Sequence, residues 1–425
     1  MTLSVSYTIE IGTPFSVVDF TDRTLGFSAR NAAPLSDISP GTAFLTLDNR
    51  DGELTPNGDG TYANTDWFGE VVYIYATVVG TNSLAPVVFN GFIVDFSVDD
   101  NGTNSVVNIS CQDATIFLGS TPTNEIYTLA TDLLDAIEDV IAKSPYLPTL
   151  GGSATTRFQE QAAMGENSAA TIDASNSTFG TLGDILRTIV MSSYPCAMWM
   201  GRIRKDSPFG TVVRFEHYDL GPTLTRPTSG TYQTQRQELE LNDSQATGTN
   251  AGIKFERLVR GFNNEQLINA VSLETTATGN TSEVVDTTSA NAYGIKSLTI
   301  STATNTTDAL AEDAAQNMLN RRSTSRYVCK QLTTSTALIE KAHDDADWTA
   351  FYLLDTSTSL WQTANITFTP TGGSEIEELS VIVGRTIQAT PANTNITLDL
   401  LPAVDFQSLV LNSSALGVLD TNRLG

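Results

Sequence analysis

Two histidines, His217 and His343, and three cysteines, Cys111, Cys196 and Cys329, are all the imidazole and thiol chemistry the chain holds. Zinc sites built from several histidines are thereby nearly excluded, and a Ser/His or Cys/His pair has at most two candidate bases. His343 sits in the acidic stretch Lys341-Ala342-His343-Asp344-Asp345, which reads as solvated surface, and His217 falls in a strand-like segment. The cysteines are odd in number and far apart, so they read as buried thiols rather than a disulfide framework or paired metal ligands. Gly-x-Ser-x-Gly, His-Glu-x-x-His and Gly-Lys-Ser/Thr patterns are missing. A glycosidase needs only two carboxylates at a set distance, and linear spacing cannot pick such a pair from 48 acids. The expectation is no catalytic, cofactor-binding or metal residue.

The oxygen-rich run Asp48-Asn49-Arg50-Asp51-Gly52-Glu53, followed by Asn57-Gly58-Asp59-Gly60, resembles a calcium loop at first sight. Alternate positions of an EF-hand loop must carry oxygen ligands, and Arg50 occupies the third. Asn, Asp and Gly are equally what tight turns require, so the turn is the preferred reading and an ion the alternative. The densest basic cluster, Arg202-Ile203-Arg204-Lys205, reads as a turn carrying solvated cations.

Charge narrows the classes further. The 48 acids against 23 Lys and Arg give −25, yet only 17 % of the chain is charged, below the usual quarter. Acidity comes from missing cations. Gripping phosphates requires clustered Lys/Arg, and so does holding an anionic membrane, so both roles are disfavoured. Met1-Thr2-Leu3-Ser4-Val5-Ser6-Tyr7 lacks the basic and apolar regions of a leader, and no run approaches the roughly 18 apolar residues of a membrane span, which predicts a soluble protein made in the cytoplasm.

A chain of 425 residues corresponds to about two to four domains. Period-two alternation of Val5, Tyr7, Ile9 and Ile11 marks a strand, followed by candidates at Ala43–Leu47, Val71–Val79, Phe89–Val98 and Val106–Cys111. Short strands at this spacing predict an antiparallel barrel or sandwich over residues 1–122. Helical periodicity then appears at Thr128–Lys143, ended by Ser144-Pro145, and again after Thr181, whose hydroxyl with Asp184 three residues on approaches a capping box. With the strand-like Val212–Tyr218, this predicts a smaller α/β insertion over 123–245.

β character returns over 246–425, at Leu267–Glu274, Gly294–Ser301, Phe351–Leu354, Ala364–Phe368, Leu379–Ile387 and Ile396–Leu401. One helix, Thr307–Arg322, interrupts it, with acids early and Arg321-Arg322 at its end as the helix dipole prefers. Mainly β with an α/β insertion between two similar β units is the fold class expected.

Several stretches, taken in order, resemble one family. Phe44-Leu45-Thr46-Leu47-Asp48-Asn49-Arg50-Asp51-Gly52, then Asn90-Gly91-Phe92-Ile93-Val94-Asp95-Phe96, then Ile109-Ser110-Cys111-Gln112-Asp113-Ala114 are similar to the N-terminal domain of minor tail proteins of long-tailed bacteriophages. Thr181-Leu182-Gly183-Asp184-Ile185-Leu186 resembles that family's short helix. Asn269-Ala270-Val271-Ser272-Leu273, the stretch Asp286–Leu298 and the helix ending Asn320-Arg321-Arg322 are similar to its second tube-like domain, and Leu398–Ala403 with Leu416–Gly425 to its closing segment.

The resemblance implies two tube-type antiparallel β-barrel domains and a structural, non-enzymatic role at the virion tail tip. It implies a hub-type ring, commonly trimeric, that continues the tail lumen, carries receptor-binding or spike parts, and lets DNA pass without holding it. Partners implied are further copies, a distal tail adaptor, a tape measure, and tail fibre or spike proteins. A hexameric adaptor ring is the near alternative. A receptor- or carbohydrate-binding tail protein and a wall-degrading enzyme are the others. The low Lys and high Thr/Asn content depart from relatives, so their surface contacts do not transfer.

Overall fold

The computed structural model describes residues 4–13, 16–32, 38–79, 83–100, 104–119, 181–192, 196–202, 211–217, 225–228, 231–234, 239–244, 252–262, 267–275, 279–303, 307–342, 350, 352–356, 359–390 and 393–403. The first half supplies β1 (Ser4–Thr13), β2 (Ser16–Asp19), β3 (Thr24–Ala32), β4 (Thr42–Asp48), β5 (Val71–Val79), β6 (Ser83–Leu84), β7 (Val87–Asp100) and β8 (Ser105–Gln112). Next come α1 (Leu182–Ser192), β9 (Cys196–Arg202), β10 (Thr211–His217), β11 (Thr225–Thr228), β12 (Thr231–Thr234), β13 (Leu239–Asn242), β14 (Ile253–Lys254) and β15 (Arg257–Phe262). The remainder is β16 (Ala270–Thr275), β17 (Thr281–Val285), α2 (Thr287–Tyr293), β18 (Ser297–Ala303), α3 (Asp308–Arg322), β19 (Tyr327–Ser335), α4 (Thr336–Ala342), β20 (Thr363–Phe368), β21 (Ile376–Thr390) and β22 (Asn393–Pro402).

Alternation decides which face each strand buries. Ala43, Leu45 and Leu47 of β4 point inward, as do Val107, Ile109 and Cys111 of β8 and Ile396, Leu398 and Leu400 of β22. These side chains join one apolar core that runs through both halves of the chain, from Ile9 to Ala403. Apolar burial stabilises at roughly 25 cal/mol per Å² removed from water, and because one cluster draws on both halves that term favours keeping them together.

Of the expected barrel or sandwich units, the closed-barrel alternative requires correction. Fifteen strands form a single sheet whose main path is β14-β13-β20-β21-β3-β4-β8-β7-β5-β1-β2, with β22, β19 and β15 leading off β21 and β6 off β5. Among the described residues these pairings do not close into a barrel. The physical reason is β21, which is long enough to serve two partners along one edge. Its first part, Ile376–Val381, pairs β20, and its second, Gly384–Ala389, pairs β3 of the first half. Between them Ile382 bonds the Trp361–Gln362 segment through its N–H and C=O, and β21 has its register shift against β22 at Ile382/Gly384.

A separate three-stranded sheet, β17-β16-β18, has β16 antiparallel to β17 and parallel to β18. Helix α3 packs on β16 and β17, burying Ala311, Ala315, Met318 and Leu319, and α1 packs on β18. Thr181 and Asp184 form the expected capping box: the Thr181 hydroxyl accepts from Asp184 N at 3.2 Å, and Thr181 N donates to the Asp184 carboxylate at 3.0 Å. The predicted strand Phe351–Leu354 is instead helical at Tyr352–Leu354. A short apolar run fits a buried strand or a buried helical turn equally well. The predicted helix Thr128–Lys143 and the segment Leu416–Gly425 lie outside the described residues.

Candidate functional site

The side chains singled out for chemistry are scattered. Cys111 and Cys329 are buried free thiols, Cys111 at β8 and Cys329 in β19, and burial pushes both thiol pKa values up, Cys329 to about 12. His217 closes β10 and Arg202 closes β9, while His343, Arg204 and Lys205 lie outside the described residues.

In the Asp48–Gly60 loop the polar groups are spent on the turn itself. Asn49 is fully buried; its amide donates to Thr55 and Ser105 hydroxyls, and its Oδ1 accepts from Leu54 N at 2.8 Å. Asp51 pairs with Arg23 at 2.7 Å and Asp48 with Arg50 at 2.6 Å. Those partners hold both carboxyls below the usual carboxylate range, chiefly by side-chain hydrogen bonds. Gly52 and Asn57 take the positive φ that such turns need.

What the fold does concentrate is a buried polar clasp between its halves. Arg385 points inward from β21, at a position where Ile387 and Ala389 continue the apolar face, and it is 0 % exposed. Its Nη1 donates to the carbonyls of Leu353 and Leu354. Nη2 donates to Asn31 Oδ1 of β3 at 2.7 Å and to Val88 O of β7 at 2.9 Å. One guanidinium thus ties three separate segments to β21, and its planar fork suits that task better than an ammonium. Burial pulls its pKa down to about 10, opposed by the nearby Asp355 carboxylate. Asp355 in turn accepts from Val87 N at 3.0 Å, and Thr356 N donates to Val87 O. Tyr7 of β1 donates to Thr394 of β22 at 2.9 Å, a further tie between the two halves.

Asp113 lies beside the clasp. Its carboxylate accepts from Gly41 N at 2.7 Å and from Thr115 N and Oγ1, yet burial outweighs these donors and raises its pKa to about 6. A Cβ on Gly41 would meet Asp113 Oδ2 at 2.5 Å and Asn31 Nδ2 at 2.7 Å, so the close approach requires glycine.

The smaller sheet has its own anchor. Buried Asn269 donates to Gly294 O at 2.8 Å and to the Ser289 hydroxyl, and accepts from Lys296 N at 2.7 Å. Asp286 caps α2 by accepting from Ser289 N at 3.0 Å. The residues that carried the family resemblance in this stretch are therefore the ones that hold its backbone.

The outward face of the large sheet is mainly uncharged and polar. One row of register partners crosses it as Asn395, Gln388, Ser28, Phe44, Ser110 and Asp95, and the next as Thr333, Thr397, Thr386, Arg30, Thr42 and Gln112. Hydroxyl and amide contacts lace it: Thr333 with Thr397 at 3.2 Å, Gln331 to Asp399 at 2.9 Å and Thr46 to Asn108 at 3.1 Å.

Comparison with known proteins agrees on the fold. No protein-family model matches the chain, and no curated protein matches it by sequence. Two solved structures match over nearly full length on both sides. The tail protein of Neisseria meningitidis MC58 is 11 % identical, covers 95 % of this chain and 100 % of its own, and superposes with a TM-score of 0.55. The prophage MuSo2 43 kDa tail protein of Shewanella oneidensis is 11 % identical, with 94 % and 99 % coverage and a TM-score of 0.50. The chain is similar in fold to these two tail proteins.

Proposed function

We propose that the chain is a structural subunit of a bacteriophage tail tip, of hub type. Copies assemble into a closed ring, a trimer, that continues the lumen of the tail tube, anchors receptor-binding or spike parts and lets DNA through during ejection. The observation that carries this reading is the end-to-end fold likeness to two tail proteins, at 95 % and 94 % of the chain. Residues 1–122 and 246–425 are its two tube-type units, and 123–245 its α/β insertion. Two β units locked rigidly by one shared sheet and the Arg385 clasp give each subunit two wall segments, which favours the hub over a one-unit adaptor. The role is not enzymatic.

Charge supports the conduit. With −25 on 425 residues, a ring of these subunits repels phosphates, and a face of Thr, Ser, Asn and Gln gives a passing duplex few cations to bind. Light scattering on the purified protein is the test. A mass of three subunits supports the hub and six the adaptor ring; a stable dimer contradicts both.

A further inference from the structure

Two strands at far ends of the large sheet, β2 and β15, each have one partner among the described residues, β1 and β19. Their chemistry is opposite. All four residues of β2 are exposed, including Val17 at 40 % and Val18 at 39 %. Beside them Glu10 and Asp19 face each other directly across the β1–β2 ladder. Like charges in that position repel, and neither carboxylate has an ion-pair partner among the described residues.

The β15 edge, Arg257–Phe262, contains two arginines and no acid. Arg260 is engaged by Glu378 at 3.9 Å. Arg257 is exposed, and the stem of Lys330 lies over Gly261, its Cε 3.2 Å from where a Cβ would stand. Neither Arg257 nor Lys330 makes an ion pair among the described residues. Phe262 and Tyr327, 57 % and 52 % exposed, meet edge to face at 5.2 Å beside them. In a chain of net charge −25, this is a cationic, aromatic edge with no further strand partner among the described residues.

We propose that the acidic β2 edge of one copy docks on the basic β15 edge of a second copy, strand edge to strand edge. An acidic ligand would satisfy β15 and leave β2 unaccounted for, and a basic ligand the reverse. A second copy carries both complements. Pairing each edge with itself would set like charges against each other, so a two-fold dimer is disfavoured and the contact is head to tail, the type that closes into rings. Aliphatic Val17 and Val18 against Phe262 and Tyr327 supply the apolar part, and unpaired backbone groups on both strands supply the ladder.

This inference rests on the ring reading and names its contact. Analytical ultracentrifugation over a concentration series tests it on the full chain, with circular dichroism confirming the fold. E10K/D19K and R257E/K330E each raise the concentration for half-assembly by at least about tenfold, and the quadruple variant returns to within about threefold of the natural chain. The neutral changes D19N and R257Q, which perturb the fold less, shift it in the same direction by a smaller factor. If the natural chain assembles and reversals leave its midpoint unchanged, or the quadruple variant assembles no better than either pair, the edge contact is wrong and the ring reading stands. If the natural chain stays monomeric throughout, the edge contact does not hold copies together and the proposal fails, while the ring reading still allows copies that assemble only on neighbouring tail proteins.

Discussion

Replacing Arg385 with methionine is the sharpest perturbation of the fold. It strands four buried acceptors at once: Leu353 O, Leu354 O, Val88 O and Asn31 Oδ1. Each orphaned acceptor costs about 1–3 kcal/mol. Against this, the burial cost of the guanidinium disappears; a pKa lowered from 12.5 to about 10 corresponds to about 3 kcal/mol. Asp355 also loses its cation. These opposing terms leave a loss of about 1–9 kcal/mol in unfolding free energy, and the about 3–5 kcal/mol typical of removing one member of a buried charged contact falls in the middle of that span. R385K keeps the charge but not the fork and loses about 1–3 kcal/mol. Urea unfolding, followed with a single tryptophan kept at Trp67 or at Trp361, reads out each half in turn. The natural chain gives coincident transitions; in R385M the two curves separate. Coincident curves and a loss below about 1 kcal/mol would refute the reasoning that this side chain couples the halves.

Protonation of Asp113 gives a second prediction. Its folded pKa of about 6 stands above the unfolded value of 3.8, so the folded state binds the proton more tightly. Its contribution is fully present below about pH 4 and is lost as pH rises through about 6, a span of about 3 kcal/mol. Thermal melts should therefore show the natural chain losing stability relative to D113N between pH 4 and pH 7; parallel pH profiles would contradict the assignment. Gly91 to Ala pushes a Cβ into the backbone of Gln112 and should lower stability by about 1–3 kcal/mol in chemical denaturation. Asp286 to Ala removes the cap on α2 and should cost about 1 kcal/mol, with hydrogen exchange rising in α2 and β16 before the large sheet.

Local features were legible before the structure. Val71–Val79 has its expected bounds, and the Thr181–Asp184 box and the 307–322 helix are found within a residue of expectation, because alternation, capping and dipole preference are written in neighbouring residues. β3 was missed, since Gly26, Arg30 and Asn31 interrupt its apolar pattern. The joint was not legible either. Asn31 and Arg385 are 354 positions apart, and a ladder between such strands leaves no local trace. One signal was available: an arginine at an inward position of an otherwise apolar strand, a placement that demands buried partners. Of the barrel or sandwich expectation, the closed-barrel alternative falls for the same reason, because it is the pairing of β21 with β3 that shows the halves share a sheet.

The central claim is that this chain is a ring subunit at the distal end of a phage tail. Electron cryo-microscopy of virions whose genome encodes the chain tests it most directly. The account predicts a closed ring of this subunit around the channel at the tail tip, with both halves of each copy in the wall. Absence of the chain from the particle, or its attachment as a peripheral appendage that does not encircle the channel, would contradict it.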